Sequence, residues 1–155
     1  MFRKLIYLVS FVLVLGLVGN VSADVQFNDS TGDHLWSTPE NWATGAVPTT
    51  ADGYVRIFVV PGPTVMANEV FVVNGIHLGN DNDGQVGALT VQGGTLEVGT
   101  INCGFNGTGT INIIDGTLIV TGTLKIAREP AWLTQRVVNP LGTAYNSCAF
   151  IEENG

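Results

Sequence analysis

The chain is poor in charge. Only 12% of its residues are charged, and Lys plus Arg number 6 against 13 Asp plus Glu. A formal net charge of −7 on so few cations disfavours nucleic acid and anionic membrane as partners, because both are held by clustered Lys and Arg. Cysteine is scarce as well. Cys103 and Cys148 are the only two, too few for a thiolate zinc site. There are 2 histidines. No Ser/His/Asp set, glycine-rich phosphate loop or zinc-type spacing can be written from the chain. Catalytic sets assemble in space, so these absences say only that no local motif announces an enzyme. The single long hydrophobic run is shorter than the roughly 20 residues of a membrane-spanning helix.

That run lies in residues 1–23, which read as a secretory signal. Arg3 and Lys4 form a positive n-region, Leu5 to Gly19 an apolar stretch, and Val21-Ser22-Ala23 a small-residue cleavage site. The mature chain is expected to start at Asp24 and to be secreted or displayed at the cell surface, with no stable membrane insertion after cleavage. The alternative is an uncleaved anchor, for which the run is short. No cysteine follows the site to carry a lipid. Loss of Arg3 and Lys4 makes the charge of −7 two units more negative.

Glycine, by contrast, is abundant at 20 residues, and it punctuates a repeat. From Gly87 to Ala127 the chain matches itself after 22 residues: Leu89, Val91, Gly94, Thr95, Leu96 and Val98 correspond to Ile111, Ile113, Gly116, Thr117, Leu118 and Val120. Apolar and polar residues alternate inside each copy, which is strand periodicity with one face buried. Each copy holds three short runs, Leu89–Val91, Thr95–Val98 and Ile101–Cys103 in the first. Gly93-Gly94 and Asp115-Gly116 stand at equivalent corners, where positive φ is needed. Self-similarity at this period is the mark of stacked repeats. The predicted fold is an all-β parallel β-helix (β-solenoid) of about three to four rungs. The competing fold is an antiparallel β-sandwich. In the β-helix, Leu89 stacks on Ile111, Val91 on Ile113, Leu96 on Leu118 and Val98 on Val120. His77, Asn102 and Lys125 form an outward ladder, as do Thr95 and Thr117, and Glu97 neighbours Ile119 instead of a second carboxylate.

Residues 24–61 precede the repeat. Here Trp36, Asn41-Trp42, Gly45, Val47-Pro48 and Asp52 make a W…NW..G..P…D pattern, followed by Val55 and Ile57. Together with the LTVQGG-TLEV and INIIDG-TLIV units, this resembles exported bacterial β-helix repeat proteins, including autotransporter-type passengers and large surface proteins with GGTL repeats. A related resemblance is to the G8-type domain. The likeness covers about residues 34–127. It implies an exported β-helix and carries no catalytic residues to transfer.

The segment has two readings. Terminal rungs of a solenoid need a cap, and Trp36 and Trp42 are large enough to cover an open end. The same two rings are the candidate ligand-binding residues if the chain stacks sugars. Tyr54 to Pro61 reads as the first full strand. Residues 62–127 are assigned to rungs and 128–155 to an irregular last one. No cofactor is expected. Asp81 and Asp83, in Asn80-Asp81-Asn82-Asp83-Gly84, are the one candidate calcium pair, against a plain polar turn. Cys103 and Cys148 default to a disulfide in an exported chain. The rung count places them two rungs, roughly 9–10 Å, apart, beyond the usual reach of about 7 Å, so buried free thiols are the expectation. The expected function is a structural or adhesive β-helix without catalysis, meeting an extracellular glycan or matrix, with edge-to-edge self-association as a further option. The alternatives are the N-terminal piece of a carbohydrate-active β-helix enzyme, or a carbohydrate-binding module.

Overall fold

The computed structural model describes residues 22–79, 85–104, 107–126 and 147–153, the last of these as backbone. The protein is all-β. Its strands are β1 (Val25–Gln26), β2 (Tyr54–Ile57), β3 (Thr64–Val65), β4 (Val70–Leu78), β5 (Val86–Gln92), β6 (Thr95–Cys103), β7 (Thr108–Ile114), β8 (Thr117–Ile126) and β9 (Ser147–Glu153). One 3₁₀ turn spans Pro39–Asn41, and the described residues contain no α-helix.

The strands form two sheets, ordered β1-β2-β4-β6-β8 and β3-β5-β7-β9. From β3 onward the chain alternates between them. Every strand pair is parallel. Among the described residues, antiparallel pairing is confined to the isolated bridges Phe27↔Trp42 and Gln92↔Asp115. An antiparallel sandwich is therefore excluded.

The register follows the 22-residue period. Leu96 pairs with Leu118 and Val98 with Val120. Leu89 pairs with Ile111 and Val91 with Ile113. Thr95 lies beside Thr117 and Glu97 beside Ile119. Gly93 and Asp115 hold the equivalent corners with φ of 75° and 51°, the left-handed conformation that Gly and Asp adopt at least cost. The inward residues of both sheets meet in one core. Val55, Ile57, Ile76, Leu78, Leu96, Val98 and Ile101 come from one side, and Val65, Leu89, Val91 and Ile111 from the other. Each fully buried aliphatic side chain contributes about 1.5–3 kcal/mol.

Two expectations are corrected. The three runs per repeat merge into two strands, because β6 carries both Thr95–Val98 and Ile101–Cys103 without leaving its sheet. The backbone stays extended through Gly99-Thr100, and only the phase changes: Leu96 and Val98 face inward before the step, Ile101 and Cys103 after it. The first full strand also stops at Ile57 instead of Pro61. Beyond it the chain crosses toward the other sheet, and the Val59 carbonyl accepts the Ala88 N–H at 3.2 Å.

The starting edges of both sheets are covered. The Thr64 N–H donates to the His34 carbonyl at 2.7 Å, and the Trp36 N–H to the Thr64 carbonyl at 3.0 Å, which closes the edge of β3. The Ala43 N–H donates to the Gln26 carbonyl at 2.9 Å, which closes the edge of β1. Unpaired edges of this kind invite aggregation, and residues 34–43 remove both.

Cys103 is disulfide-bonded, which overturns the expectation of free thiols. Cys148 is the only other cysteine in the chain. Counting rungs along the sequence misplaced the pair. Cys103 ends β6 where the chain hands over to β7, so its neighbour across the interior is Gly109. A Cβ on Gly109 would sit 2.5 Å from the Cys103 sulfur, and Cys148 is the register partner of Gly109 in β9. The separation is one step, and the glycine leaves room for the sulfur.

Candidate functional site

The W…NW..G..P…D residues are each used structurally. Trp36 and Trp42 are 0% and 1% exposed. Their rings meet edge-on, with centroids 4.9 Å apart. Phe27 packs edge-on against Trp42 at 5.1 Å, and Phe71 stacks on Trp36 at 5.8 Å. The Trp42 indole N–H donates to the Trp36 carbonyl at 2.8 Å. Neither indole presents an open face, so the ligand-stacking role drawn for the pair finds no surface in this conformation. The physical reason is the same demand that motivated the cap: the end of the core needs bulk, and both rings are spent on it.

Asn41 is buried and hydrogen-bonded on both sides of its carboxamide. It donates to Asp33 Oδ1 at 2.6 Å and to the Leu35 carbonyl at 3.1 Å, and it accepts the Thr31 N–H at 3.1 Å and hydroxyl at 2.7 Å. Asp33 also accepts the Leu35 N–H at 2.9 Å and the Thr38 hydroxyl at 2.7 Å. These bonds, that from Leu35 foremost, hold its carboxyl down at about 2. Gly45 has φ of 68°, Pro48 is buried, and Asp52 accepts the Thr49 N–H at 2.8 Å. Beside this network, Asp29 accepts the His34 N–H at 3.1 Å, and its other oxygen lies 2.5 Å from His34 Nδ1. The cluster orders the loop and leaves its donors and acceptors engaged with one another.

Asp81 and Asp83 lie outside the described residues. Among the described residues, no group of three or more His, Cys, Asp or Glu is placed to hold a metal ion.

The ladder is present in register, although Asn102 within it is buried. His77 pairs with Asn102, and Asn102 with Lys125. Sequence reasoning missed that Arg56 extends it, pairing with His77 through β2. It also missed the groups around Arg56. Asp24 Oδ1 accepts the Tyr54 N–H at 2.9 Å, and Asp24 Oδ2 accepts from both Arg56 Nε, at 2.8 Å, and Arg56 Nη2. Burial pushes the Asp24 carboxyl up, but the Tyr54 N–H, Arg56 and His77 together bring it below the ordinary carboxylate value. The Tyr54 ring is tilted against that of His77, with centroids 4.1 Å apart. The available signal was the alternation Tyr54-Val55-Arg56-Ile57, which lines up with Gly75-Ile76-His77-Leu78.

Comparison of the chain with known protein families, curated proteins and solved structures returns no match.

Proposed function

We propose that the chain is an exported, non-enzymatic parallel β-helix that serves a structural or adhesive role outside the cell or on its surface. The observation that carries this reading is the register-matched stack, in which parallel strands from successive 22-residue units lie side by side over a single core. Proteins built this way offer long regular faces for contact. The W…NW..G..P…D segment and the GGTL-type units support kinship with exported bacterial β-helix repeat proteins. Export is supported by the pattern of residues 1–23 and, independently, by the disulfide at Cys103, since disulfides persist in oxidising compartments. The outward positions Val70, Val72, Thr95, Thr117 and Ile119 are β-branched, and Glu97 stands between Val72 and Ile119 without a second carboxylate. Glycoside cleavage needs paired carboxyl groups about 5–10 Å apart.

The test is a glycan and matrix-protein array probed with the processed chain, run beside a polysaccharide turnover screen. Retention without turnover sustains the reading. Turnover of any polysaccharide overturns it.

A further inference from the structure

The two ends of the stack differ. The starting edges are closed by residues 34–43. The five-stranded sheet ends at β8, and among the described residues no strand pairs with the outer edge of β8. At 10 residues it is the longest of the described strands. The core columns run out on it. Leu96, Val98, Ile101 and Cys103 of β6 are buried, and their register partners in β8 are Leu118, Val120, Leu124 and Ile126. Leu118 and Val120 are half-buried, whereas Leu124 is 40% exposed and Ile126 51%. A long apolar edge left uncovered is a pairing template for another chain.

The sequence of β8 specifies what fits that edge. Val98 pairs with Val120 but Thr100 with Thr123, so β8 carries one residue more than β6 between its two apolar pairs. The core-facing positions 118, 120, 124 and 126 are therefore evenly placed about Gly122. The order Leu-x-Val-x-Gly-x-Leu-x-Ile is apolar at the same distances from its centre in either direction. Such a strand is complementary to an antiparallel copy of itself. With Gly122 opposite its own copy, Leu118 faces Ile126 and Val120 faces Leu124, each pair twice. Period-two alternation keeps all of them on the core side.

We propose that the protein forms a two-fold symmetric dimer, end to end, through the outer edges of β8. The inference goes beyond the adhesive reading and does not depend on it. The dimer axis passes through Gly122 and carries the sheet and its core on into the second copy. β9, the last strand of the other sheet, meets its own copy across the same axis. The one charged residue of β8, Lys125, falls opposite Ile119 of the second copy. The two lysines then lie roughly 20 Å apart along the strand direction, well beyond the Debye length of about 8 Å at about 0.15 M salt. Head-to-tail stacking is blocked, because the starting edges it needs are already bonded to residues 34–43. The contact is thus isologous, and assembly closes at two copies.

The experiment is sedimentation velocity and light scattering of the processed chain over a dilution series, with amide hydrogen exchange followed across residues 117–126. The expected result is a dimer that dissociates on dilution, with these amides exchanging more slowly in the dimer than in the monomer. Leu124→Lys should raise the dimer dissociation constant about tenfold to a hundredfold, since each substitution acts at two symmetry-related contacts. Val70→Lys, at a β4 position that is 67% exposed, should leave it unchanged. Denaturation midpoints establish that each variant is folded, and Leu124→Gln is the milder substitute should Leu124→Lys not be. A chain that stays monomeric up to about 1 mM overturns the proposal. Slow exchange at residues 117–126 that persists in the monomer also overturns it and assigns the edge to another segment of the same chain. Growth beyond two copies overturns the isologous contact, as does a dimer weakened by Val70→Lys and indifferent to folded Leu124 variants.

Discussion

The Trp42 indole N–H hydrogen-bonds the carbonyl of Trp36 at 2.8 Å, while the indole N–H of Trp36, equally buried, has no hydrogen-bond partner. The two rings are therefore not equivalent. Replacing Trp42 by Phe strands the Trp36 carbonyl as well as removing packing, whereas replacing Trp36 by Phe removes packing and an unsatisfied donor together. Trp42→Phe should cost about 1–2 kcal/mol more than Trp36→Phe, measured as the difference in urea unfolding free energy.

Leu96 is fully buried between neighbours on both sides, and Leu118, its register partner, is half-buried. Leu96→Ala should destabilise the protein by about 2–5 kcal/mol, with Leu118→Ala at or below the low end of that range. Equal costs at the two positions would contradict the stacking order.

The bond at Cys103 closes a long loop. Thiol titration of the unreduced, denatured protein should find no free thiol, and titration after reduction should find both. The chain-entropy relation for a loop of this length gives roughly 4 kcal/mol, so reduction should lower the thermal midpoint under otherwise fixed conditions. Gly109→Val should disturb the same bond, because the added Cβ has no room beside the Cys103 sulfur.

Asp33 sets an acid limit on the cap. Its carboxyl titrates at about 2 in the folded chain, against an ordinary value of 3.8. A depressed folded value means that the ionised form favours folding. The contribution is complete above about pH 4 and is lost as pH falls through 2. Fluorescence of the buried tryptophans should report loosening of residues 31–42 in that window. Asp33→Asn should weaken the loop at neutral pH and flatten its response to acid.

Much of the fold was legible because a fixed period forces equivalent residues together. Leu89 over Ile111 and Leu96 over Leu118 follow from spacing alone, and Gly93 and Asp115 were readable as corners from their tolerance of positive φ. Continuity of β6 was hidden because Gly99 reads as a break, although the extended backbone passes through it. The partnership of Cys103 was hidden because position along the repeat does not show which residue lies opposite across the interior. The contact of Tyr54 with His77 was hidden for a related reason. Val55 and Ile57 share with Ile76 and Leu78 only their alternation, so β2 did not read as part of the repeat. The two aromatic residues that composition made conspicuous, Trp36 and Trp42, are the ones the packing conceals.

Closure of the first edges by residues 34–43 also bears on the order of assembly. A polypeptide is synthesised N-terminus first. That closure draws on Gln26 and Thr64, so it completes as soon as β3 has emerged. From then on, each arriving strand finds a matching template about one repeat behind it. The order of synthesis and the direction of strand addition coincide, and the growing molecule exposes fresh sheet edges at one end only.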